Sequence, residues 1–588
     1  MRLHFFIFLS VFCGSFIQKS NAQNKLQSEL KIISRAEWNA APPVLEMIPH
    51  TPRFITIHHT GMPQKPELSI EKKLRGLQDF SQKDSKLASG KLKKAWADVP
   101  YHFYISTSGD IAEARNVNYQ GDSNTDYNLD GHLLIVVEGN FNKEKVLPEQ
   151  WKSLKQLVPY VSEKYNIPLS SVSGHKDQAK TTCPGDDLYR LLPLLKTDKR
   201  VRIGAERLFE EEYFKLIQGQ RIGLITNHTG LLPNIEHLVD LLHENPETNL
   251  KLLFGPEHGI RGEQDTHVSD SKDKTTGLPV ISLYGDTQRP TPEMLEQIDV
   301  LIFDIQDIGA RYYTYIRTML FAMEAAAESG IPYIVLDRPN PINAETVAGP
   351  IGNSFKPVLN IESLPVVHGM TIGELATMFN KEREKTGKST AELSVVPLEN
   401  YRRSFYFDET GLPWIKSSPN MLNLTTALLY PATCLLEGTN FSEGRGTLQP
   451  FELIGAPWVK AGELSELLNS YKLPGAKFSP GRFKPDSIVD GIKIYPPKFV
   501  GEETPAVEIS ITNRNELKPV ELGIYILHAL IKQYPNEFEW KEKRIDHLLK
   551  TSKVREMLNK GESPENIIGQ WKEELEYFQK KREKYLLY

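Results

Sequence analysis

Val300-Leu-Ile-Phe-Asp-Ile-Gln-Asp307 decides the architecture of the larger part of this chain. Four apolar residues run straight into an acidic turn, the pattern of a strand buried on both faces that delivers polar side chains at its carboxyl end. Arg221–Thr226, Lys251–Phe254 and Tyr333–Leu336 repeat it, with helical periodicities over Ile235–Glu244 and Thr318–Ser329 between them. Such alternation predicts a doubly wound parallel sheet over residues 201–372. Beyond about Glu374 the pattern is mixed, so 373–588 reads as a smaller α+β subdomain. Its Gln570–Tyr588 stretch reads as a charged, structural closing helix.

Upstream, the short charged joint Lys196-Thr-Asp-Lys-Arg200 separates this region from a first block, residues 30–196. There Phe54–Ile57, Tyr101–Ser106 and Leu133–Val137 read as strands, and Leu68–Ser81 and Glu149–Tyr165 as amphipathic helices, giving a mixed-sheet α/β domain. The lysine-rich Lys83–Lys94 reads as a solvated loop. Residues 1–22 have the order of a secretory signal peptide: Arg2, the apolar run Leu3–Ile17, then Ser20-Asn21-Ala22. That core is too short to span a bilayer, which disfavours the alternative of a retained signal anchor. Cys13 lies inside the apolar run behind Val11-Phe12, an arrangement unlike a lipoprotein site.

The 588 residues, 40% apolar and 25% charged, exclude wholesale disorder, a coiled coil and a multi-span membrane protein. The net charge of −5 offers no footprint for nucleic acid. Export with only Cys183 and Cys434 left after the signal is not a disulfide scaffold, so another chemistry is expected at Cys183. The expected compartment is the periplasm, with release outside the cell as the alternative.

The strand Phe54–Ile57 ends in His58-His59-Thr60-Gly61, and far downstream stands His175 followed by Cys183-Pro-Gly-Asp. Alone, a histidine pair at a strand end reads as structural and a Cys-Pro-Gly as a packed turn. Together, imidazole and thiolate form a three-ligand zinc set that leaves a fourth position for water. At this point the block resembles the zinc-dependent N-acetylmuramoyl-L-alanine amidases of the bacteriophage-lysozyme and peptidoglycan-recognition-protein type. The strings that carry the likeness are Ser34-Arg-Ala-Glu-Trp-Asn-Ala-Ala-Pro-Pro43, Ile55-Thr-Ile-His-His-Thr60, Val99-Pro-Tyr-His-Phe-Tyr-Ile105, Glu138-Gly-Asn-Phe141 and Gly174-His with Cys183-Pro-Gly-Asp-Asp-Leu188. The resemblance implies Zn²⁺ on His58, His175 and Cys183, with His59 a neighbour. It also implies Tyr101 orienting water or the substrate carbonyl, Thr181 as an oxyanion donor, and Trp38 among the substrate contacts. Gln120-Gly-Asp-Ser123 stands where many relatives carry Gly-Ala-His.

In the second block the strand ends lead into Thr226-Asn-His228, Gly255-Pro-Glu-His-Gly259, Asp304-Ile-Gln-Asp307 and Asp337-Arg-Pro-Asn340. Ligands of open parallel sheets bind beyond these carboxyl ends, so a polar, carboxylate-bearing pocket is expected. No glycine-rich phosphate loop follows the first strand, which disfavours a nucleotide. Carboxylates suit glycosidic cleavage, although any one such Asp can equally be a turn cap or ion-pair partner. The block resembles the bacterial exo-β-N-acetylmuramidases, through Phe254-Gly-Pro-Glu-His-Gly259, Ser282-Leu-Tyr-Gly285, Phe303-Asp-Ile-Gln-Asp-Ile-Gly309, Arg311-Tyr-Tyr-Thr-Tyr315, Leu336-Asp-Arg-Pro-Asn-Pro341, His368-Gly-Met-Thr-Ile-Gly-Glu374, Ser418-Pro-Asn420 and Glu437-Gly-Thr-Asn-Phe-Ser-Glu-Gly-Arg-Gly-Thr447. That family has a Rossmann-like catalytic domain and a smaller C-terminal domain. The resemblance implies Glu257 as catalytic acid, with His258, Asp304, Asp307, Arg311, Asn420, Glu443 and Arg445 around the pocket, and no cofactor. The second catalytic group stays open. The segment Gly352–Leu364 lacks the family's Ser-Phe-Val-Gly run.

The fusion implies a bifunctional peptidoglycan hydrolase whose partners are glycan strands and muropeptides, with no nucleic acid and no stable membrane insertion. The amidase half would strip the stem peptide before the other half trims the naked glycan from its non-reducing end. Two alternatives stay open: an amidase carrying a noncatalytic muramyl-binding module, and a noncatalytic peptidoglycan receptor. Oligomeric state has no signal in the sequence.

Overall fold

The structure, a computed structural model, describes residues 30–86, 92–196, 200–256, 259–261, 271–284, 287–352, 358, 360–489, 491–495 and 497–588. The signal-peptide reading of residues 1–22, and the roles expected for Glu257 and His258, lie outside the described residues. The chain divides into two compact units, which part between Lys199 and Arg200. No helix of the described residues is long and apolar enough to cross a membrane.

The first unit is built on a six-stranded mixed sheet. Its strands are β1 (Ile32–Ile33), β2 (Phe54–His59), β3 (Phe103–Ile105), β4 (Ile111–Glu113), β5 (His132–Val137) and β6 (Ser173–Gly174), in the order β1-β4-β3-β5-β2-β6. All pairings are parallel except β3 with β4. Every residue of β5 is buried, as expected for a strand covered on both faces. Ile55, Ile57, Leu133, Ile135 and Val137 share one core with Leu154, Leu157, Val158 and Val161 of helix α2 (Pro148–Lys164). Trp38, Tyr104 and Val136 share the other with Ile70 and Leu74 of helix α1 (Ile70–Ser81). His58 lies opposite Val136 in register, and so on the Trp38 face at the carboxyl edge of the sheet.

The lysine-rich stretch departs from its reading as a solvated loop. Ser85–Lys86 pairs with Leu92–Lys93, and Lys93 is buried. Its ammonium donates to the carbonyls of Ser81, Lys83 and Lys94 and sits 4.4 Å from the Trp96 ring centroid. Three carbonyls and an aromatic face replace the water that a lone lysine would keep.

The second unit holds the doubly wound sheet: β7 (Arg221–Thr226), β8 (Asn249–Gly255), β9 (Pro279–Ser282), β10 (Val300–Asp304), β11 (Tyr333–Leu336) and β12 (Leu393–Val396). Their order is β9-β8-β7-β10-β11-β12, all parallel, with Ser271–Lys272 antiparallel on the β9 edge. This 3-2-1-4-5-6 arrangement reverses direction between β7 and β10, the switch point where such sheets open a ligand crevice. One face packs on helix α3 (Leu238–Glu244), the other on α4 (Tyr315–Ser329) and α5 (Ile372–Lys385). Because α5 and β12 complete the last crossover, the sheet domain runs past the boundary expected at residue 372.

The remainder contains helices α6 (Leu424–Thr433), α7 (Ala461–Ser470) and α8 (Pro519–Gln533). They accompany an antiparallel sheet of β13 (Leu453–Gly455), β14 (Ala476–Phe483) and β15 (Thr504–Ile511) in the order β13-β15-β14. Helix α9 (Lys572–Arg582) closes on the parallel sheet through polar contacts. The Arg582 guanidinium reaches the carbonyls of Ala344, Glu345 and Gly369, and the Tyr588 hydroxyl donates to Asp337 Oδ2 at 2.7 Å.

In the first unit, Lys73 and Glu138 form an ion pair of 2.8 Å with both side chains buried. Glu138 also accepts from the backbone of Lys65 and Thr107, so it ties two loops to the sheet. Lys73→Met leaves a buried carboxylate unpaired and is expected to cost about 3 kcal/mol. Adding Glu138→Gln should return more than half of it. Hydrogen-exchange protection of the β2 and β5 amides in both variants checks this.

Candidate active sites of the two units

In the first unit three chain segments meet at the end of β2. His58 is the next-to-last residue of that strand, His175 follows β6, which pairs beside it, and Cys183 opens the loop Cys183-Pro-Gly. One donor atom from each of His58, His175 and Cys183 lies within 4.8 Å of the others, and all three residues are buried. Cys183 Sγ stands 3.7 Å from His58 Nδ1, and the two imidazole centroids are 4.4 Å apart. Burial and the neighbouring imidazoles hold His58 well below its ordinary pKa, and burial lowers His175 to about 4. Both rings therefore present neutral lone pairs. Burial pushes the Cys183 thiol up to about 12, against a backbone N–H donated by His59. Two neutral imidazoles and one thiol that ionises only against a strong positive charge fit a divalent, sulfur-tolerant metal.

His59 turns away, its Nδ1 accepting from the Phe141 N–H, which agrees with a neighbour rather than a ligand. The Tyr101 ring lies 5.2 Å from His58, and burial raises its phenol far above the ordinary range, so it stays a proton donor. The Thr181 hydroxyl accepts from the Cys183 N–H and keeps its own proton to give. Trp38 corrects its expectation as a substrate contact. It has no exposed surface, its indole N–H is spent on the Glu113 carbonyl, and it supports the sheet from beneath.

Two residues escaped the sequence reading. The Thr125 hydroxyl lies 2.6 Å from His175 Nε2, and Tyr127 places its hydroxyl 3.5 Å from His58 Nε2. Both come from the polar loop that follows the Gln120-Gly-Asp-Ser123 departure, a stretch without periodicity to mark it.

In the second unit the strand ends converge as expected, but most of their charge is spent internally. Asp304 has no exposed surface, and both its oxygens are held by Arg338, at 2.6 and 2.9 Å. This corrects its reading as a sugar contact. Asp337 accepts from the backbone of Arg338 and Gly373 and from the hydroxyls of Thr371 and Tyr588. Burial still raises its pKa to about 7. Arg311, also expected at the pocket, is 1% exposed, and its terminal nitrogens donate to the carbonyls of Pro350, Leu364 and Leu548. It pins the strand-end loop to the helices beyond.

Asp307 is different. One oxygen accepts from the Gly309 N–H at 2.8 Å and faces His368 Nε2 at 3.7 Å, while the other is buried without a partner. His368 takes the Met370 N–H on Nδ1, so its proton sits on Nε2, which also lacks a hydrogen-bond partner. Asn227 Nδ2, beyond β7, is a third buried group of this kind. A carboxylate oxygen and two N–H groups left open near the switch point are a demand for a polar ligand or water. The sequence reading included Asp307 and missed His368 and Asn227.

Asn420 is buried. Glu443 bridges Arg445, at 3.2 Å, and Lys498, at 2.9 Å. Arg445 also pairs with Glu437 at 2.7 Å, and Glu437 with Arg544. Burial alone would raise Glu437, but Arg445 and Arg544 hold it down to about 2. Stacked edges of Tyr313, Tyr430, Tyr312 and Phe451 connect this ion cluster to the loop that follows β10. On the side of β8, Arg261 follows Glu257 by four positions and is gripped by Asp240 and Asp273 at 2.7–3.0 Å. That grip ties Arg261 to helix α3 and to the residue after Ser271–Lys272.

Both units match known families. Residues 222–425 and 428–588 match the N- and C-terminal models of the exo-beta-N-acetylmuramidase NamZ, and residues 49–186 match the N-acetylmuramoyl-L-alanine amidase model. The chain is 44% identical over 393 residues to the peptidoglycan beta-N-acetylmuramidase NamZ of Bacillus subtilis, covering 66% of this chain and 92% of that protein. A Bacteroides fragilis DUF1343 family crystal structure superposes with a TM-score of 0.60 at 37% identity, covering 66% of this chain and 99% of that one. The first unit is 29% identical over 171 residues to peptidoglycan-recognition protein SD of Drosophila simulans, 28% of this chain and 87% of that protein. The fold and sites thus define a two-unit hydrolase. The chain belongs to the NamZ exo-β-N-acetylmuramidase family and carries an amidase-family unit ahead of it.

Thr125→Val removes the hydroxyl that orients His175. It is expected to weaken Zn²⁺ binding about 10- to 100-fold while leaving the fold intact. Competitive titration of the metal against a chromogenic chelator measures this.

Proposed function

We propose that the protein dismantles peptidoglycan by two hydrolyses. Its first unit cleaves the amide between the lactyl group of N-acetylmuramic acid and L-alanine, and its second releases N-acetylmuramic acid from non-reducing glycan ends. The observation that carries the first activity is the convergence of His58, His175 and Cys183 within 4.8 Å. Zn²⁺ held there would polarise the scissile carbonyl and supply a water acidic enough to attack at neutral pH. Thr125 fixes the His175 ring, Tyr101 donates from a phenol kept protonated, and the free proton of Thr181 is placed to meet an oxyanion. The complete ligand set, Cys183 included, favours an enzyme over a receptor.

Membership of the NamZ family supports the second activity. Glu257, directly beyond β8 in Gly255-Pro-Glu-His-Gly259, is the proposed acid that protonates the leaving oxygen. Asp307, with one oxygen open, accepts from a sugar hydroxyl or a water, and His258 and Asn420 are the further proposed sugar contacts. Residues 1–22 export the protein, and the periplasm is the proposed site of action. Cys183 and Cys434 are both buried free thiols.

Mass spectrometry of purified sacculi, digested by wild type, Cys183→Ser and Glu257→Gln, tests both activities together. Free stem peptides should vanish with Cys183→Ser and with chelation of the metal. Free muramic acid should fall about 10²- to 10⁴-fold with Glu257→Gln, the range for loss of a general acid. Peptides without muramic acid from any form would leave an amidase joined to a binding module. No product from the zinc-loaded protein would leave a receptor.

A further inference from the structure

The turn that carries His368 is gripped by the last residue of helix α9. Arg582 Nη1 donates to the carbonyls of His368, at 3.4 Å, of Ala344, at 3.1 Å, and of Gly369, while Nη2 donates to that of Glu345, at 2.9 Å. Arg403 donates to two of the same carbonyls, those of Ala344 and Gly369, at 2.7 and 2.6 Å. Gly369 has φ +60°, and a Cβ there would run into the Arg582 guanidinium and the Thr346 carbonyl. The turn therefore closes tightly on the guanidinium.

This grip is an expensive one. Arg582 is buried, and no carboxylate pairs with it among the described residues, whereas Arg403 has Glu374. Burial, and then the Arg403 charge, lower Arg582 to about 10. Carbonyls satisfy its donors and leave its charge unopposed. Stability alone does not favour that arrangement, since an apolar side chain of similar size is less costly to bury.

What the grip holds is the approach of His368 to Asp307. The Met370 N–H fixes His368 Nδ1, and the guanidinium fixes the carbonyls of His368 and Gly369, so that Nε2 faces Asp307 Oδ2 at 3.7 Å. The Gly309 N–H meets the same oxygen at 2.8 Å, which leaves Oδ1 as the open one. Beyond Arg582 the chain stays at the strand ends: the Leu587 N–H donates to Glu374 at 2.9 Å, and the Tyr588 hydroxyl to Asp337.

We propose that Arg582 is a positioning residue of the second unit's active site: it sets the His368–Gly369 turn so that His368 faces one oxygen of Asp307 and the other is presented to the substrate. The inference rests on the muramidase reading above. Helix α9 then belongs to the catalytic apparatus and is more than a closing element.

Steady-state kinetics of the full chain on an aryl β-N-acetylmuramide tests this, with Arg582→Gln, Arg582→Lys, His368→Phe, His368→Gln and their combinations. Arg582→Gln should lower kcat/KM about 10- to 100-fold, the scale of a small misplacement at a reacting centre, and Arg582→Lys should lose less. With His368→Phe in place, either change at Arg582 should cost less than about twofold, because residues that act as one unit do not lose activity independently. Losses that multiply in the double variants would mark a merely structural role and overturn the proposal, as would full activity of Arg582→Gln. Thermal unfolding identifies any variant that has not folded. Should Arg582→Gln or His368→Phe be one, the cycle of Arg582→Lys with His368→Gln decides in the same way. If wild type releases no muramic acid, the muramidase reading fails and this inference falls with it.

Discussion

The Asp304–Arg338 pair is the constraint on which the second unit's strand ends depend. A carboxylate with no exposed surface costs several kcal/mol to bury unless a partner meets both oxygens, and Arg338 does so in the two-pronged geometry its guanidinium allows. The pair joins the ends of β10 and β11. Thr226 at the end of β7 donates its hydroxyl to the Asp304 carbonyl, and Thr229 accepts the Gln306 N–H, so a third strand end is drawn in. With these groups satisfied, polar atoms of Asp307, His368 and Asn227 are left open beside a strand-end framework that is paired.

The first unit solves a different problem. A metal site needs three ligands from distant parts of the chain held to within fractions of an ångström. The sheet supplies two of them through register alone, because β6 pairs beside β2 with Gly174 opposite Ile57, which sets His175 next to His58. The third arrives on the Cys183 loop and is fixed by the His59 N–H. Lys73 and Glu138 brace the loops at the same edge of the sheet. Two of the three donors are thus set by backbone pairing and the third by a backbone N–H, so the arrangement can await its metal.

How much of this was legible follows from where each signal lives. Strands buried on both faces announce themselves as uninterrupted apolar runs, so the parallel sheet and the ends of β7, β8, β10 and β11 could be read directly, whereas the choice of His58 over His59 beside His175 and Cys183 came from the family resemblance. What could not be read is how polar residues divide between framework and site. Asp304 and Asp307 stand three positions apart in the same turn, yet one is consumed by Arg338 and the other keeps an oxygen free. Nothing local distinguishes them, because Arg338 arrives from the next strand. Trp38 and Arg311 failed as substrate contacts for the same reason: the carbonyls that occupy them, on Glu113, Pro350, Leu364 and Leu548, are distant in sequence. Thr125 and Tyr127 were missed because their loop has no pattern, and Lys93 because a lysine-rich stretch conceals one member that is buried. The domain boundary fell short at residue 372 because helix α5 looks like the start of something new, whereas pairing of β12 with β11 returns it to the sheet.

The two chemistries are linked by a change of charge. Hydrolysis of the lactyl amide removes a peptide and also creates an anion on the sugar left behind. Steric exclusion of a stem peptide would require a closed pocket, and it would discriminate only as sharply as the pocket is tight. The charge made by the first hydrolysis lies instead on the sugar itself, so it stays with the glycan end after the peptide has gone.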